Sequence, residues 1–214
     1  VGFSELNKLV FERLREWVIE TMKDELEKIE REELEWIELK STNINNEEEI
    51  LLKKASYQNS LGMLYSHQGK YSEAEALLVE CLILMKEILG DNHPDTLNAM
   101  NNLGWLYFKQ ERYAEAEPLF VECLKLRKQT LGDNHPRTYG TMNGLGLLYR
   151  SQERYPDAEA LYVECLTLQK QTLGEKHPDT LTSMNNLALL YSDQEKYSES
   201  ESLLADCLKL RKET

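Results

Sequence analysis

Four cysteines, Cys81, Cys123, Cys165 and Cys207, follow one another at intervals of 42 residues. Thiol chemistry of the redox or metal-binding kind needs partners close by, as in a C-x-x-C pair. An even comb of single thiols instead repeats one structural slot, where a free cysteine behaves as a small hydrophobe. Three histidines keep the same period, in His93-Pro94, His135-Pro136 and His177-Pro178, each near acids such as Asp91. Successive copies lie one repeat apart, too far to share a metal, so a linker and capping role is expected. The sequence carries no H-E-x-x-H, phosphate loop or nucleophile elbow, and no carboxylate pair recurs. Catalytic residues, cofactor and metal are therefore all expected to be none, and the chain is not expected to be an enzyme. The polar chemistry that remains is that of amides. Asn59, Asn101, Asn143 and Asn185 again stand 42 apart, and an amide can donate to and accept from the backbone of an extended peptide whatever its side chains.

The elements that position these residues follow from the period. Repeats of 20–50 residues indicate solenoids, in which each copy covers its apolar face with a neighbour. Within the copy at 93–134, Leu97, Met100, Leu103, Gly104 and Tyr107 form one helical face, and Tyr113, Ala116, Phe120, Cys123, Leu124 and Leu131 form another. A short polar break over 109–112 separates the two. Gly132 suits the left-handed residue that closes a helix, and Pro136 fits the first turn of the next, where its missing N–H costs nothing. Each copy is thus a helix hairpin followed by a six-residue link, with first helices beginning near Lys54, Thr96, Thr138 and Thr180. The sequence predicts an all-α fold, divided into an N-terminal helical segment, 1–50, and a four-copy array, 51–214, with copies at about 53–92, 93–134, 135–176 and 177–214.

The motifs of the array carry a family resemblance. L-G-x-x-Y in the first helix and Y-x-x-A in the second are met as Leu61-Gly62-Tyr65 with Tyr71 and Ala74, Leu103-Gly104-Tyr107 with Tyr113 and Ala116, and Leu145-Gly146-Tyr149 with Tyr155 and Ala158. The fourth copy varies this to Leu187-Ala188-Tyr191 with Tyr197 and Ser200. This pattern resembles the tetratricopeptide repeat (TPR), and the 42-residue form with its L-G-x-x-H-P-x-T link is similar to that of kinesin light chains and of arrays in apoptotic-ATPase and nephrocystin-type signalling proteins. The resemblance implies a TPR-like right-handed α-solenoid whose first helices line a concave groove. Cysteine stands where the family usually has alanine.

Beside the core stripe, each first helix carries a second face. It holds Asn59, Met63 and His67 in the first copy, and Asn98, Asn101, Asn102, Trp105, Phe108 and Lys109 in the second. Asn143, Leu147 and Arg150 follow in the third, and Asn185, Asn186 and Leu189 in the fourth. By the resemblance these would form a peptide-binding groove: the asparagines clamp backbone, Trp105, Phe108, Met63 and Leu147 supply apolar pockets, and Lys109 and Arg150 attract a carboxylate. The alternative at the asparagines is that they link neighbouring repeats. The two-carboxylate clamp for chaperone tails needs lysines at the slot held here by Ser56, Asn98, Gly140 and Thr182, so that variant is not expected. The function implied is a non-catalytic protein-interaction scaffold for a short peptide or partner helix. Two alternatives are a sensor or autoinhibitory module of a larger signalling protein and a motor-adaptor cargo-binding domain.

Residues 3–39 contain no Gly or Pro, and Phe3, Leu6, Val10, Leu14, Trp17, Met22, Leu26 and Ile29 make an amphipathic stripe. This helix is expected to cap the first repeat, burying Trp17 and Trp36, or to be the end of an upstream domain, or else to pair with another chain as a coiled coil. A turn-like patch over 41–46 follows it. The helix and the terminal repeat are the two candidate surfaces for self-association. With 38 acidic against 25 basic side chains, a net charge of −13 repels phosphate backbones and anionic lipid, so no nucleic acid or membrane partner is expected. No apolar run reaches a membrane span, and the unpaired thiols favour a reducing, cytoplasmic location.

Overall fold

The computed structural model describes the backbone of residues 3–39 and 44–212, and the side chains of residue 12 and of 14–31 and 48–212. Among the described residues the regular structure is helical: α1 (Phe3–Leu39), α2 (Ile44–Gln68), α3 (Tyr71–Leu89), α4 (Pro94–Lys109), α5 (Tyr113–Thr130), α6 (Pro136–Ser151), α7 (Tyr155–Thr172), α8 (Pro178–Asp193) and α9 (Tyr197–Lys212). The chain forms two compact bodies that meet in sequence between Leu106 and Tyr107, and each is described by itself.

In the first body, α1 packs on α2 and α2 on α3. The long α1 follows the expectation for 3–39, but its buried face is rotated. Ile19, Leu26 and Ile29 are buried, whereas Leu14 and Trp17 are exposed, Trp17 by 65%. The expected burial of Trp17 is therefore incorrect. Ile19 lies two residues beyond Trp17, about 200° round the helix, so only one of the two can face α2. The side chains of Phe3, Leu6, Val10 and Trp36, and residues 41–43, lie outside the described residues. Helix α2 begins at Ile44, taking in residues 44–46 of the patch read as a turn. Glu48 and Glu49 follow near its start, where negative charge complements the helix dipole.

In the second body, α5 packs on α6, α6 on α7, α7 on α8 and α8 on α9. Its core contains Phe120, Cys123, Tyr139, Met142, Leu148, Tyr162, Cys165, Met184 and Leu190, all at most 2% exposed. The glycine of L-G-x-x-Y has a packing cause. A Cβ on Gly146 would lie 2.6 Å from the buried Tyr162 ring, and one on Gly62 would lie 2.8 Å from Leu78. The close crossing of first and second helices requires that missing atom.

The links are built from the L-G-x-x-H-P-x-T residues. Gly90, Gly132 and Gly174 have φ of 84°, 89° and 88°, and the prolines open α4, α6 and α8. The histidines cap these helices: His93, His135 and His177 Nδ1 accept from the backbone N–H of Asp95, Arg137 and Asp179 at 3.2, 3.1 and 3.2 Å. The threonines are fully buried. Thr138 and Thr180 hydroxyls donate to the Gly132 and Gly174 carbonyls at 2.9 Å, and Thr96 donates to the Met85 carbonyl at 3.1 Å. These bonds satisfy backbone groups in the links and at the adjoining helix ends.

The turns inside the hairpins fall at the expected polar breaks, but their backbone geometry is not one the sequence announces. Gly69 has φ of 77°, but the equivalent residues Glu111, Glu153 and Glu195 hold φ of 59–60°, a left-handed geometry that costs a non-glycine residue about 1 kcal/mol. A basic residue follows each. Lys70, Arg112, Arg154 and Lys196 lie 5.3, 4.3, 4.0 and 5.1 Å from the rings of Tyr65, Tyr107, Tyr149 and Tyr191, so the slot tyrosines are covered by cations. Arg154 also reaches Glu117 at 2.7 Å, and Lys196 reaches Glu159 at 3.3 Å, tying each turn to the second helix before it. Tyr197, by contrast, is 64% exposed.

Candidate functional site

The cysteines are buried and free. Cys165 Sγ lies 3.8 Å from the Tyr139 carbonyl of its own repeat and 3.7 Å from Ser183 Oγ of the next. Cys207 Sγ reaches the Leu181 carbonyl at 3.6 Å. The slot needs a small group that can also donate weakly to a first helix, which a thiol does and a methyl does not. Burial pushes the Cys81 thiol up to about 12 and Cys165 up to about 11, away from the range in which a thiolate attacks or binds metal. Among the described residues no group of three or more His, Cys, Asp and Glu could hold a metal ion.

The polar face of the first helices divides between the bodies. In the first, Asn59 on α2 accepts from Asn102 on α4 at 3.0 Å. Asn59 and Asn98 also line a cavity of about 430 Å³ between α2, α3 and α4, with Leu52, Met85 and Leu89 as its apolar part and Ser56, His93 and Asp95 completing the wall. Met63, Asn101 and Trp105 are half-buried and His67 is exposed. An enclosure of this size accepts one or two side chains of a ligand. Of this lining, Ser56, Asn59 and Asn98 are the groove positions read from the sequence. Leu52, Met85 and Leu89 look like ordinary core positions until three helices are brought together around them.

In the second body the equivalent residues are joined to each other. Asn143 Nδ2 donates to Ser183 Oγ at 3.0 Å and to Cys165 Sγ at 3.5 Å, and its Oδ1 accepts from Ser183 at 3.3 Å and Asn186 at 3.4 Å. Asn59–Asn102 and Asn143–Asn186 are the same contact, 43 residues apart, so these asparagines link neighbouring repeats. Arg150 donates to Asp193 at 2.5 Å, also 43 residues on, and this hydrogen bond raises its pKa. The carboxylate expected from a ligand is thus already supplied by the chain. Burial lowers the pKa of Lys109, and Phe108 packs on Tyr113 with ring centroids 5.7 Å apart. Asn185 and Leu147 are half-buried, and Leu189 is 38% exposed.

A second cavity, about 590 Å³, lies between α5, α6 and α7, lined mainly by Val121, Leu124, Leu145, Tyr149 and Leu161. Its lining combines second-helix residues with part of the core stripe, so no single-helix pattern announces it. Among the described residues no helix is long and apolar enough to cross a membrane.

Comparison with protein families matches the tetratricopeptide repeat at residues 54–129, 106–170 and 137–213. Among solved structures, the chain is similar to BtubC (BKLC) from P. vanneervenii, with a TM-score of 0.76 and 18% identity over 94% of this chain and 74% of that one. It is also similar to a kinesin light chain-like protein of nearly identical TPR-like repeats from Podosopora anserina, with a TM-score of 0.72 and 20% identity over 93% and 92% of the two chains. The apo form of RapI gives a TM-score of 0.65 at 13% identity, over 77% of this chain and 44% of that one. No curated protein matches the sequence. The fold is an all-α, TPR-like solenoid of the kinesin light chain type.

Proposed function

This chain belongs to the tetratricopeptide repeat family, a fold of protein-interaction scaffolds, and on that premise we propose that it binds a short peptide, in extended form, against the first helices of its repeats. The observation that carries the reading is the cavity between α2, α3 and α4, where Asn59 and Asn98 stand over an apolar surface of Leu52, Met85 and Leu89. Amides that pair with a peptide backbone, next to a recess that takes a side chain, are what peptide recognition requires. The binding face is this cavity together with its neighbours Met63, Asn101, Asn102 and Trp105. The equivalent residues Asn143, Asn186 and Arg150 hold repeats together, as the Asn59–Asn102 bond also does, and contribute less contact. The reading involves no catalysis and no cofactor, and its setting is a reducing, cytoplasmic one.

The test is a titration of the full chain with end-capped peptides selected on it by display. Ser56→Arg places a long cationic side chain at the cavity wall. It is expected to weaken binding by roughly tenfold or more, about 1.4 kcal/mol, with thermal unfolding unchanged. Binding that is indifferent to Ser56→Arg contradicts the reading.

A further inference from the structure

The chemistry of the α2–α4 cavity selects among peptides. Its apolar part is large enough for a leucine or larger side chain, and its ionisable lining consists of Asp95 and His93. His93 Nδ1 already accepts from the Asp95 N–H at 3.2 Å. With Nδ1 so engaged, Nε2 is the ring nitrogen left to meet a ligand carbonyl. The Asp95 carboxylate is exposed and stands 3.7 Å from that same Nδ1. Glu48 and Glu49, both exposed, lie one turn before Leu52 on α2, on the side of the helix that carries Leu52 and Ser56.

The nearby cations are held elsewhere. Lys86 pairs with Asp91 at 3.0 Å and Lys54 with Glu80 at 3.1 Å, and Lys53 projects about 100° round α2 from Leu52. The mouth of the cavity is therefore negative above an apolar interior. This is the reverse of the carboxylate-seeking groove that Lys109 and Arg150 suggested.

We propose that the cavity between α2, α3 and α4 takes an apolar side chain flanked by lysine or arginine, so that the ligand is a basic, apolar peptide segment. The inference rests on the peptide-binding reading above and adds the ligand's charge to it. The apolar side chain sits on Leu52, Met85 and Leu89, the flanking cations meet Asp95 and the Glu48–Glu49 turn, and Asn59 and Asn98 face the peptide backbone.

The experiment is fluorescence anisotropy on the full chain with three end-capped nonapeptides. Each has a central leucine, flanked on both sides by lysines, glutamates or serines. The lysine peptide is expected to bind roughly tenfold or more tightly than the glutamate peptide. Asp95→Asn should reduce that preference by about threefold, and 0.5 M NaCl should reduce it further. A glutamate or serine peptide that binds as tightly as the lysine peptide overturns the inference. So does a lysine preference untouched by both Asp95→Asn and Ser56→Arg, because a chain of net charge −13 attracts cations non-specifically. If all three peptides bind alike and Ser56→Arg abolishes binding, the peptide-binding reading stands and the charge selection falls. If none binds, both fall.

Discussion

Asn143→Ala separates an asparagine that holds repeats together from one that only lines a surface. Asn143 makes two bonds with Ser183, at 3.0 and 3.3 Å, and one each with Cys165 and Asn186, at 3.5 and 3.4 Å. A net hydrogen bond contributes about 0.5–1.5 kcal/mol, and the longer three belong at the low end or below. Ser183 is fully buried, so losing its partner adds a desolvation cost, eased by its 3.7 Å contact with Cys165. The gross loss is roughly 2–3 kcal/mol, from which the better helix propensity of alanine returns roughly 0.5. A net destabilisation of about 1.5–2.5 kcal/mol corresponds to a fall in Tm of roughly 3–10 °C for a chain of this length. Because repeat arrays are stabilised between nearest neighbours, native-state hydrogen exchange should accelerate mainly in α6, α7 and α8. Asn185→Ala is the control, since Asn185 makes no side-chain hydrogen bond among the described residues, and it should change stability by less than about 0.5 kcal/mol. Equal effects of the two substitutions, or an Asn143→Ala chain as stable as the parent, would refute the reasoning.

Four further outcomes are expected. Gly146→Ala drives a methyl against the buried Tyr162 ring, 2.6 Å away, while Gly140→Ala meets nothing within 4 Å; denaturant titration should show the first losing about 1–3 kcal/mol and the second gaining about 0.5–1. Glu153→Gly relieves a φ of 60° and should raise the urea midpoint by the equivalent of about 0.5–1 kcal/mol, whereas a lowered midpoint would show that the glutamate is not strained. The Cys81 and Cys165 thiols, raised to about 12 and 11, titrate in the unfolded chain near pH 8.5. Their stabilisation is whole below that pH and is lost as pH rises through 11 to 12, so the alkaline fall in stability should be shallower in Cys165→Ser than in the parent. Trp17→Glu should leave stability within about 0.5 kcal/mol while Ile29→Ala costs about 2–4, since Trp17 is 65% exposed and Ile29 only 1%.

What could be read from the sequence is what the 42-residue period repeats. Leu97, Met100 and Leu103 face the core because the same face recurs in every copy, and the His-Pro-x-Thr link announces a helix start each time. The polar contacts between repeats keep a different interval. Asn59–Asn102, Asn143–Asn186 and Arg150–Asp193 each span 43 residues, one repeat plus one position. A search for complementary polar residues at that interval would have found them and paired Arg150 with Asp193 beforehand. The orientation of α1 was not legible in the same way. That helix offers more than one apolar stripe, and only its docking on α2 selects Ile19, Leu26 and Ile29 over Leu14 and Trp17. The α2–α4 cavity was half legible. Asn59 and Asn98 stood out as polar residues on a helix face, but Leu89, His93 and Asp95 come from a helix end, a link and a first turn, and no single periodicity joins them.

On the proposed reading, the first helices carry the binding face. The most direct measurement is backbone amide chemical-shift mapping of the full chain during titration with a peptide selected on it. The largest shifts are expected at Leu52, Ser56, Asn59, Met63, Asp95 and Asn98. Shifts concentrated instead at Val121, Leu124, Ala160 and Leu161, around the α5–α7 cavity, would contradict it.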